Sequence, residues 1–450
     1  MIANIKSFSS RLGIDKAIAY TVLARIIQAG GGVISIVFIA KYLTTVEQGY
    51  YFTFGSILAI QIFFELGLSN IITQFVAHEV ANLQWTNRTT IVGPERSRSR
   101  LSSLLRFCIK WFSVIAVVLI FVLLAAGFVF FNTYGDGNED VNWQAPWIIL
   151  SISTACSLMV SPVLAFIEGL GKVKEVAKIR LFQQISQLLT LFIFLIAGFK
   201  LFASPLASVI TLTIAPLWIL FTYKKELLLF IWKQRSGWKV RYRLEIFPYQ
   251  WRIALSWISG YFIFQLFNPV LFAIEGPVVA GQMGMTLAAL AGILSISLSW
   301  INTKVPLFST LIANKDYQSL DSVFNKTVKQ ASLICGICLI ILIMVVFGLR
   351  YFQLSIADRF LRPFPLILLC VATFVNQFVS ALATYLRCHK KEPFLIQSIT
   401  LGILTATSTL VLGNLFGLNG VTIGYCSIIL FVSLTWSLFI FKEKKKLWHQ

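Results

Sequence analysis

Residues 111–131 read WFSVIAVVLIFVLLAAGFVFF, a stretch without a charged side chain. Coiled as a helix rising about 1.5 Å per residue, it reaches about 30 Å, the thickness of the hydrocarbon core of a bilayer. Residues 331–349, ASLICGICLIILIMVVFGL, have the same character. Working outward, apolar segments occupy 17–40, 50–76, 108–131, 146–167, 181–199, 205–223, 254–274, 283–309, 331–349, 363–386, 394–416 and 419–441. The composition agrees. Of 450 residues 57% are apolar and only 12% charged, about half the charged share of a soluble domain. A single soluble core could not hide that much apolar surface. A secreted disulfide scaffold, a disordered chain and an ordinary cytosolic enzyme are excluded. The expected fold is an all-α polytopic membrane protein of about twelve transmembrane helices.

A net charge of +20 would point to nucleic acid in a soluble protein. Here position matters more than the sum. With both termini inside, the inside segments hold about 30 of the 38 Lys and Arg. The outside segments hold Lys41, Lys200, Arg350, Arg359 and Arg362. That bias follows the positive-inside rule, so both termini are expected in the cytoplasm and no nucleic acid is expected as partner. The basic N-terminus with its apolar sequel is too long for a signal peptide and contains Arg25, so it reads as the first membrane helix.

The longest basic linker follows the sixth span. The chain therefore divides into an N-terminal six-helix lobe (1–223), a basic amphipathic linker (224–252) and a C-terminal six-helix lobe with a basic tail (253–450). Trp232, Trp238, Tyr242 and Trp251 among many Lys and Arg suit a helix lying on the inner membrane surface. A weak echo at an offset of 232 residues relates the turn Val46–Tyr50 to Val278–Gln282, as expected of two halves sharing one topology.

Polar residues inside spans are costly and are the candidates for function. Arg25 lies about 12 Å inside the first span. It either snorkels inward or faces a wet cavity and holds an anionic group. Glu65 is the only acid well inside a span, at a depth close to that of Arg25 on the neighbouring antiparallel helix. A neutralising Arg25–Glu65 pair and a coupling role for Glu65 are both open, and Gln61 lies one turn away on the same face. Gln265 and Asn268 share a face of the seventh span, where they meet another helix or a cavity, and Lys304 lies near the inner end of the eighth, where it snorkels or faces the cavity. Gln183 and Gln187 read as glue between helices. No P-loop, metal cluster or nucleophile–base pair is present in the sequence, which favours a transporter over an enzyme. No cofactor is expected, and Glu65 is the residue through which H⁺ or Na⁺ coupling would run.

At Lys41-Tyr-Leu-Thr-Thr-Val-Glu-Gln-Gly-Tyr-Tyr51 and Phe63-Phe-Glu-Leu-Gly-Leu68 the sequence resembles Wzx-type O-antigen flippases of the multidrug/oligosaccharidyl-lipid/polysaccharide (MOP) exporter superfamily. The resemblance implies two pseudo-symmetric six-helix lobes in a MATE-like V, with a cavity lined by the first, second, seventh and eighth helices. It implies flipping of an undecaprenyl-diphosphate-linked oligosaccharide by alternating access in the bacterial inner membrane, for surface polysaccharide synthesis. Arg25, Gln61, Glu65, Gln265, Asn268 and Lys304 lie on those four helices. A monomer is expected, with a polysaccharide polymerase or glycosyltransferase as candidate partners. The alternative is a cation-coupled drug or metabolite antiporter of the same superfamily.

Overall fold

The computed structural model describes residues 16–135, 141–234, 237–389 and 391–449. It is helical almost throughout. In chain order the helices are α1 (Lys16–Tyr42), α2 (Thr45–Leu58), α3 (Ile62–Glu65), α4 (Leu68–Val80), α5 (Glu95–Tyr134), α6 (Gln144–Gly169) and α7 (Val173–Ile196). They continue as α8 (Ala203–Leu220), α9 (Lys224–Lys233), α10 (Phe247–Phe264), α11 (Phe267–Glu275), α12 (Pro277–Asn302) and α13 (Val305–Ala313). The last are α14 (Tyr317–Tyr351), α15 (Pro363–Arg387), α16 (Leu395–Ser427) and α17 (Thr435–Trp448). A two-residue antiparallel ribbon, β1 (Gln84–Trp85) with β2 (Ile91–Val92), closes the loop before α5.

Among the described residues, 10 helical stretches are long and apolar enough to cross a membrane. The last of them, Leu395–Trp448, has 54 residues and is too long for one crossing. It bends at Gly417, whose φ of +58° suits a residue without Cβ, and the Glu275 carboxylate accepts the N–H of Leu418 there. The expected gap at Gly417-Leu418 is thus a sharp kink in one continuous helical run. The turn between α1 and α2 is built by a capping box. Thr44 Oγ1 accepts from the Glu47 N–H at 3.1 Å, and Glu47 accepts from the Thr44 N–H at 2.8 Å.

The chain packs into two compact units that are not contiguous in sequence. One holds residues up to Gln28, Ile60–Phe130 and Asn142–Trp257. The other holds Ala29–Ala59, Phe131–Val141 and residues from Ile258 on.

In the first unit, α4 lies against α6, where Thr73 Oγ1 donates to the Ala165 carbonyl at 3.1 Å. Gly169 permits this approach, because a Cβ there would meet Val76 and the Thr73 carbonyl at 2.6–2.7 Å. Trp147 is fully buried and donates to the Leu123 carbonyl at 3.1 Å. The basic linker is not one amphipathic helix. It is the ten-residue α9, then an extended stretch and a wide turn at Tyr242–Ile246. The first turns of α5 hold it. Arg100 sits 2.7 Å from Glu79 and 2.6 Å from Glu245, which keeps the Glu245 carboxyl below its usual range. Arg96 lies over the Trp238 ring and Ser99 donates to the Trp238 carbonyl at 2.7 Å. These contacts use the α5 arginines that a span-by-span reading leaves as loop charge. Nearby, buried Lys224 pairs with Glu175 at 2.5 Å and lies 3.5 Å above the Tyr223 ring. Burial lowers the Lys224 ammonium, and burial together with Glu175 pushes the Tyr223 hydroxyl up to about 12.

In the second unit, α2 packs on α12, and the two turns related by the offset of 232 residues meet directly. Gln48 Nε2 donates to the Gly281 carbonyl at 2.8 Å. A Cβ on Gly49 would lie 2.0 Å from the Pro277 carbonyl oxygen, and one on Gly281 would lie 2.9 Å from the Gly49 nitrogen. Arg359 ties the turn further, donating to the Leu43 carbonyl at 2.6 Å and to Gln48 Oε1 at 3.3 Å. Tyr50, Phe54, Phe131 and Phe272 form a buried aromatic cluster with ring centroids 5.1–6.1 Å apart. At the other end of this unit Phe308, Phe324, Tyr385, Leu386 and Phe394 make a core to which α17 adds Ile440.

Candidate functional site

The second membrane segment is not a continuous helix. α2 tightens into a 3₁₀ turn at Ala59–Gln61, α3 is a single turn, and the chain then breaks at Leu66 (φ +48°) and Gly67 (φ +68°) before α4 begins. Left-handed backbone at a leucine costs about 1–2 kcal/mol. At Gly67 any side chain is strained, and a Cβ would lie 2.6 Å from Ile253 Cγ2. Irregular backbone at membrane depth survives only inside protein or beside a water-filled cavity. Broken helices of this kind hold substrate or coupling ions in transporters.

Glu65 is the last residue before the break and is half-buried. Its Oε1 accepts from Ser69 Oγ, on the second residue of α4, at 2.8 Å. Ser69 Oγ in turn lies 3.4 Å from Ser161 Oγ on α6. A short relay of hydroxyls thus leads from the carboxylate to α6.

Ser161 also lines a cavity of about 290 Å³ between α6, α7 and α8. Ser157 and Ser161 come from α6, Gln183 and Gln187 from α7, and Ser208 and Thr211 from α8. Arg180 stands at its edge and pairs with Glu168 at 2.9 Å. The sequence explains the wall. On α7 the exposed residues Phe182, Leu189, Ile193 and Ile196 form one apolar stripe. At 100° per residue Arg180, Gln183 and Gln187 fall on the opposite side. One side suits acyl chains; the other needs water or a polar guest. Gln183 and Gln187 lie about 3 and 9 Å along α7 past residue 181, where its apolar segment begins. They therefore line a cavity, where the sequence alone reads them as glue. Only one bond joins them to another helix, Gln183 Nε2 to the Thr211 carbonyl at 3.4 Å. The signal for the cavity is an i, i+3, i+7 polar stripe opposite an apolar one.

The other sequence candidates fall as follows. Arg25 lies in α1, and its side chain is outside the described residues. Gln61, at the end of the 3₁₀ turn, is half-buried in the first unit with Glu65. Gln265 sits in the short gap between α10 and α11, half-buried. Asn268 is 7% exposed and donates to Ser56 Oγ at 3.1 Å, which binds α11 to α2. Lys304 is exposed in the turn between α12 and α13, outside any straight span. Gln265, Asn268 and Lys304 all belong to the second unit. Among the described residues no three His, Cys, Asp or Glu side chains converge as a metal centre would require.

A broken helix, a carboxylate at the break and a polar cavity beside it thus lie together among helices long and apolar enough to cross a membrane. The fold is similar to that of solved MOP-superfamily transporters. An inward-facing multidrug-resistance transporter of the MATE family superposes with a TM-score of 0.64 at 14% identity, covering 95% of this chain and 99% of that one. The lipid II flippase MurJ, in an inward closed conformation, superposes at 0.59 with 15% identity over 94% of this chain and 87% of that one. The MATE multidrug transporter DinF-BH gives 0.60 at 15% identity over 97% and 96%. No family model matches the sequence, and no curated protein matches it.

Proposed function

We propose that this protein flips an undecaprenyl-diphosphate-linked oligosaccharide from the cytoplasmic to the outer leaflet of a bacterial inner membrane, with both termini cytoplasmic. One observation carries the reading. The two segments that resemble Wzx-type flippases hold the capped turn into α2 and the break in the second membrane segment. Lys41–Tyr51 contains the capping box and Gly49, which lies against α12. Phe63–Leu68 contains Glu65 and the left-handed break. The fold, shared with a lipid II flippase, agrees with such a cargo. Arg25 is the residue to hold the diphosphate, since a guanidinium pairs with phosphate oxygens through charge-assisted bonds. Gln61, Gln265, Asn268 and Lys304 complete the candidate set, and a monomer working beside a polymerase or glycosyltransferase is the expected setting.

A second reading, a cation-coupled drug or metabolite antiporter, is favoured by Glu65, whose carboxylate ends a hydroxyl relay. Lipid analysis of a strain lacking the gene separates the two. Accumulation of lipid-linked oligosaccharide on the cytoplasmic side with loss of surface glycan is the expected result. Unchanged lipid-linked glycan, in a strain without a redundant flippase, would move the assignment to the antiporter.

A further inference from the structure

We propose that the cavity between α6, α7 and α8 is a glycan subsite that holds one neutral sugar ring of the cargo. The inference rests on the flippase reading and adds the class of ligand and its place.

Four features point to it. The uncharged polar lining is hydroxyl and primary amide, from Ser157, Ser161, Ser208, Thr211, Gln183 and Gln187, and Val160, Leu164 and Leu212 add apolar surface for the face of a ring. A primary amide presents a donor and an acceptor side by side, which matches two adjacent sugar hydroxyls. The charge is balanced. Arg180, the charged lining residue, is paired with Glu168 at 2.9 Å, so a diphosphate or an organic cation would enter without a free counter-charge and at a large desolvation cost. The size, about 290 Å³, is at the lower end of small-molecule sites, which run from about 300 to 1,000 Å³. It fits a ring and not a chain of rings. Finally, Thr211 Oγ1 is buried on this wall without a hydrogen-bond partner among the described residues. Buried hydroxyls seldom stay unpaired, and a sugar hydroxyl would satisfy this one. The polar side of α7 keeps the cavity wet in the empty protein, so a sugar exchanges with water rather than with packed side chains. Through Ser161 and Ser69 the occupied cavity would also adjoin Glu65.

The test uses the full-length protein in lipid nanodiscs and saturation-transfer NMR with free glucose, galactose, mannose, rhamnose and N-acetylglucosamine as probes. At least one sugar is expected to receive saturation. The double variant Gln183→Leu/Gln187→Leu should bind it about tenfold more weakly, as expected for the loss of two or so hydrogen bonds. Thr211→Val serves where the double variant folds poorly. It should weaken sugar binding while leaving the melting temperature unchanged or higher, because it removes an unpaired buried hydroxyl. No saturation of any sugar with the wild-type protein overturns the subsite. So does binding that both variants leave unchanged, or ethidium bound there in place of sugar. Accumulated lipid-linked oligosaccharide in the deletion strain, together with any of those results, defeats the subsite alone. Unchanged lipid-linked glycan defeats the flippase reading on which it rests.

Discussion

Gly49→Ala is the substitution whose cost the structure specifies best. A Cβ at Gly49 would lie 2.0 Å from the Pro277 carbonyl oxygen, 2.6 Å from its carbon and 2.8 Å from Pro277 Cα. All three are backbone atoms in the first turn of α12, so no rotamer change relieves the clash. α2 and α12 must move apart by about 1 Å or more, which also stretches the 2.8 Å bond from Gln48 to the Gly281 carbonyl. Overpacking of this kind costs about 1–3 kcal/mol, and with backbone on both sides the upper figure applies. Gly281→Ala meets its nearest atom, the Gly49 nitrogen, only at 2.9 Å and should cost about 1 kcal/mol. Gly55→Ala on the same helix α2 meets nothing within 4 Å. Its helix propensity alone should stabilise it by about 1 kcal/mol. In a unit of 150–250 residues each kcal/mol moves the melting midpoint by about 2–4 °C. Thermal unfolding of the purified protein, followed by thiol-reactive dye, should therefore rank Gly55→Ala above wild type, then Gly281→Ala, then Gly49→Ala, with about 8 °C or more between the extremes. Equal midpoints for Gly49→Ala and Gly55→Ala would show that α2 and α12 do not pack as described.

Three further perturbations test other parts of the molecule. Arg100→Met leaves Glu79 and Glu245 without their shared partner; at about 2 kcal/mol for charge-assisted bonds, trypsin should cut faster at Lys239, Arg241 and Arg243, and an unchanged rate contradicts the clamp. Just past the end of α17, His449 stacks on Tyr317 at 4.0 Å and lies 5.5 Å from His389, with Asp321, Tyr385, Lys445 and Lys391 around them. Burial holds both imidazoles below their ordinary 6.5, with Asp321 partly opposing this at His449. The folded state thus binds fewer protons than the unfolded one, and docking of α17 is secure above that pH and weakens as pH falls below it. The protection of the Thr435–Trp448 amides, taken relative to their intrinsic exchange rate at each pH, should fall between about pH 7.5 and 5.5 and fall less in His449→Phe; equal pH dependence in the two proteins would refute this. Arg25→Ala should abolish glycan export while the protein still inserts, and Arg25→Lys should keep part of it. If Arg25 and Glu65 only neutralise each other, the double alanine variant should export better than either single one, whereas equal loss in all three assigns them separate roles.

Much of the architecture was legible because membrane crossing imposes a rule on each segment separately. A run such as 111–131 must be a helix wherever its neighbours stand, since no other local structure satisfies its backbone in hydrocarbon. The break at Leu66-Gly67 was less visible, because a left-handed leucine has no local sequence signature and is held by the packing of Gly67 against Ile253. Gln183 and Gln187 were half legible for a related reason: Gln183 does bond to α8, but both also line a cavity. Two amides one turn apart look the same whether they meet another helix or a cavity, and only the positions of α6 and α8 separate the cases. Asn268 is open in the sequence between a helix contact and a cavity, and its bond to Ser56, 212 residues away in the chain, puts it between α11 and α2.

The sequence by itself determined that this is a helical protein with many segments long and apolar enough to cross a membrane. Hydropathy and charge act over about 20 residues, so a local reading is enough. Tertiary structure alone decided which residues meet. The turns at Gly49 and Gly281 could be matched from their spacing, but their mutual contact required two helices to approach at backbone distance. The cavity likewise exists only because α6, α7 and α8 bring their hydroxyls and amides to one place. Those contacts depend on side-chain size and direction across elements far apart in the chain, which no window of sequence contains.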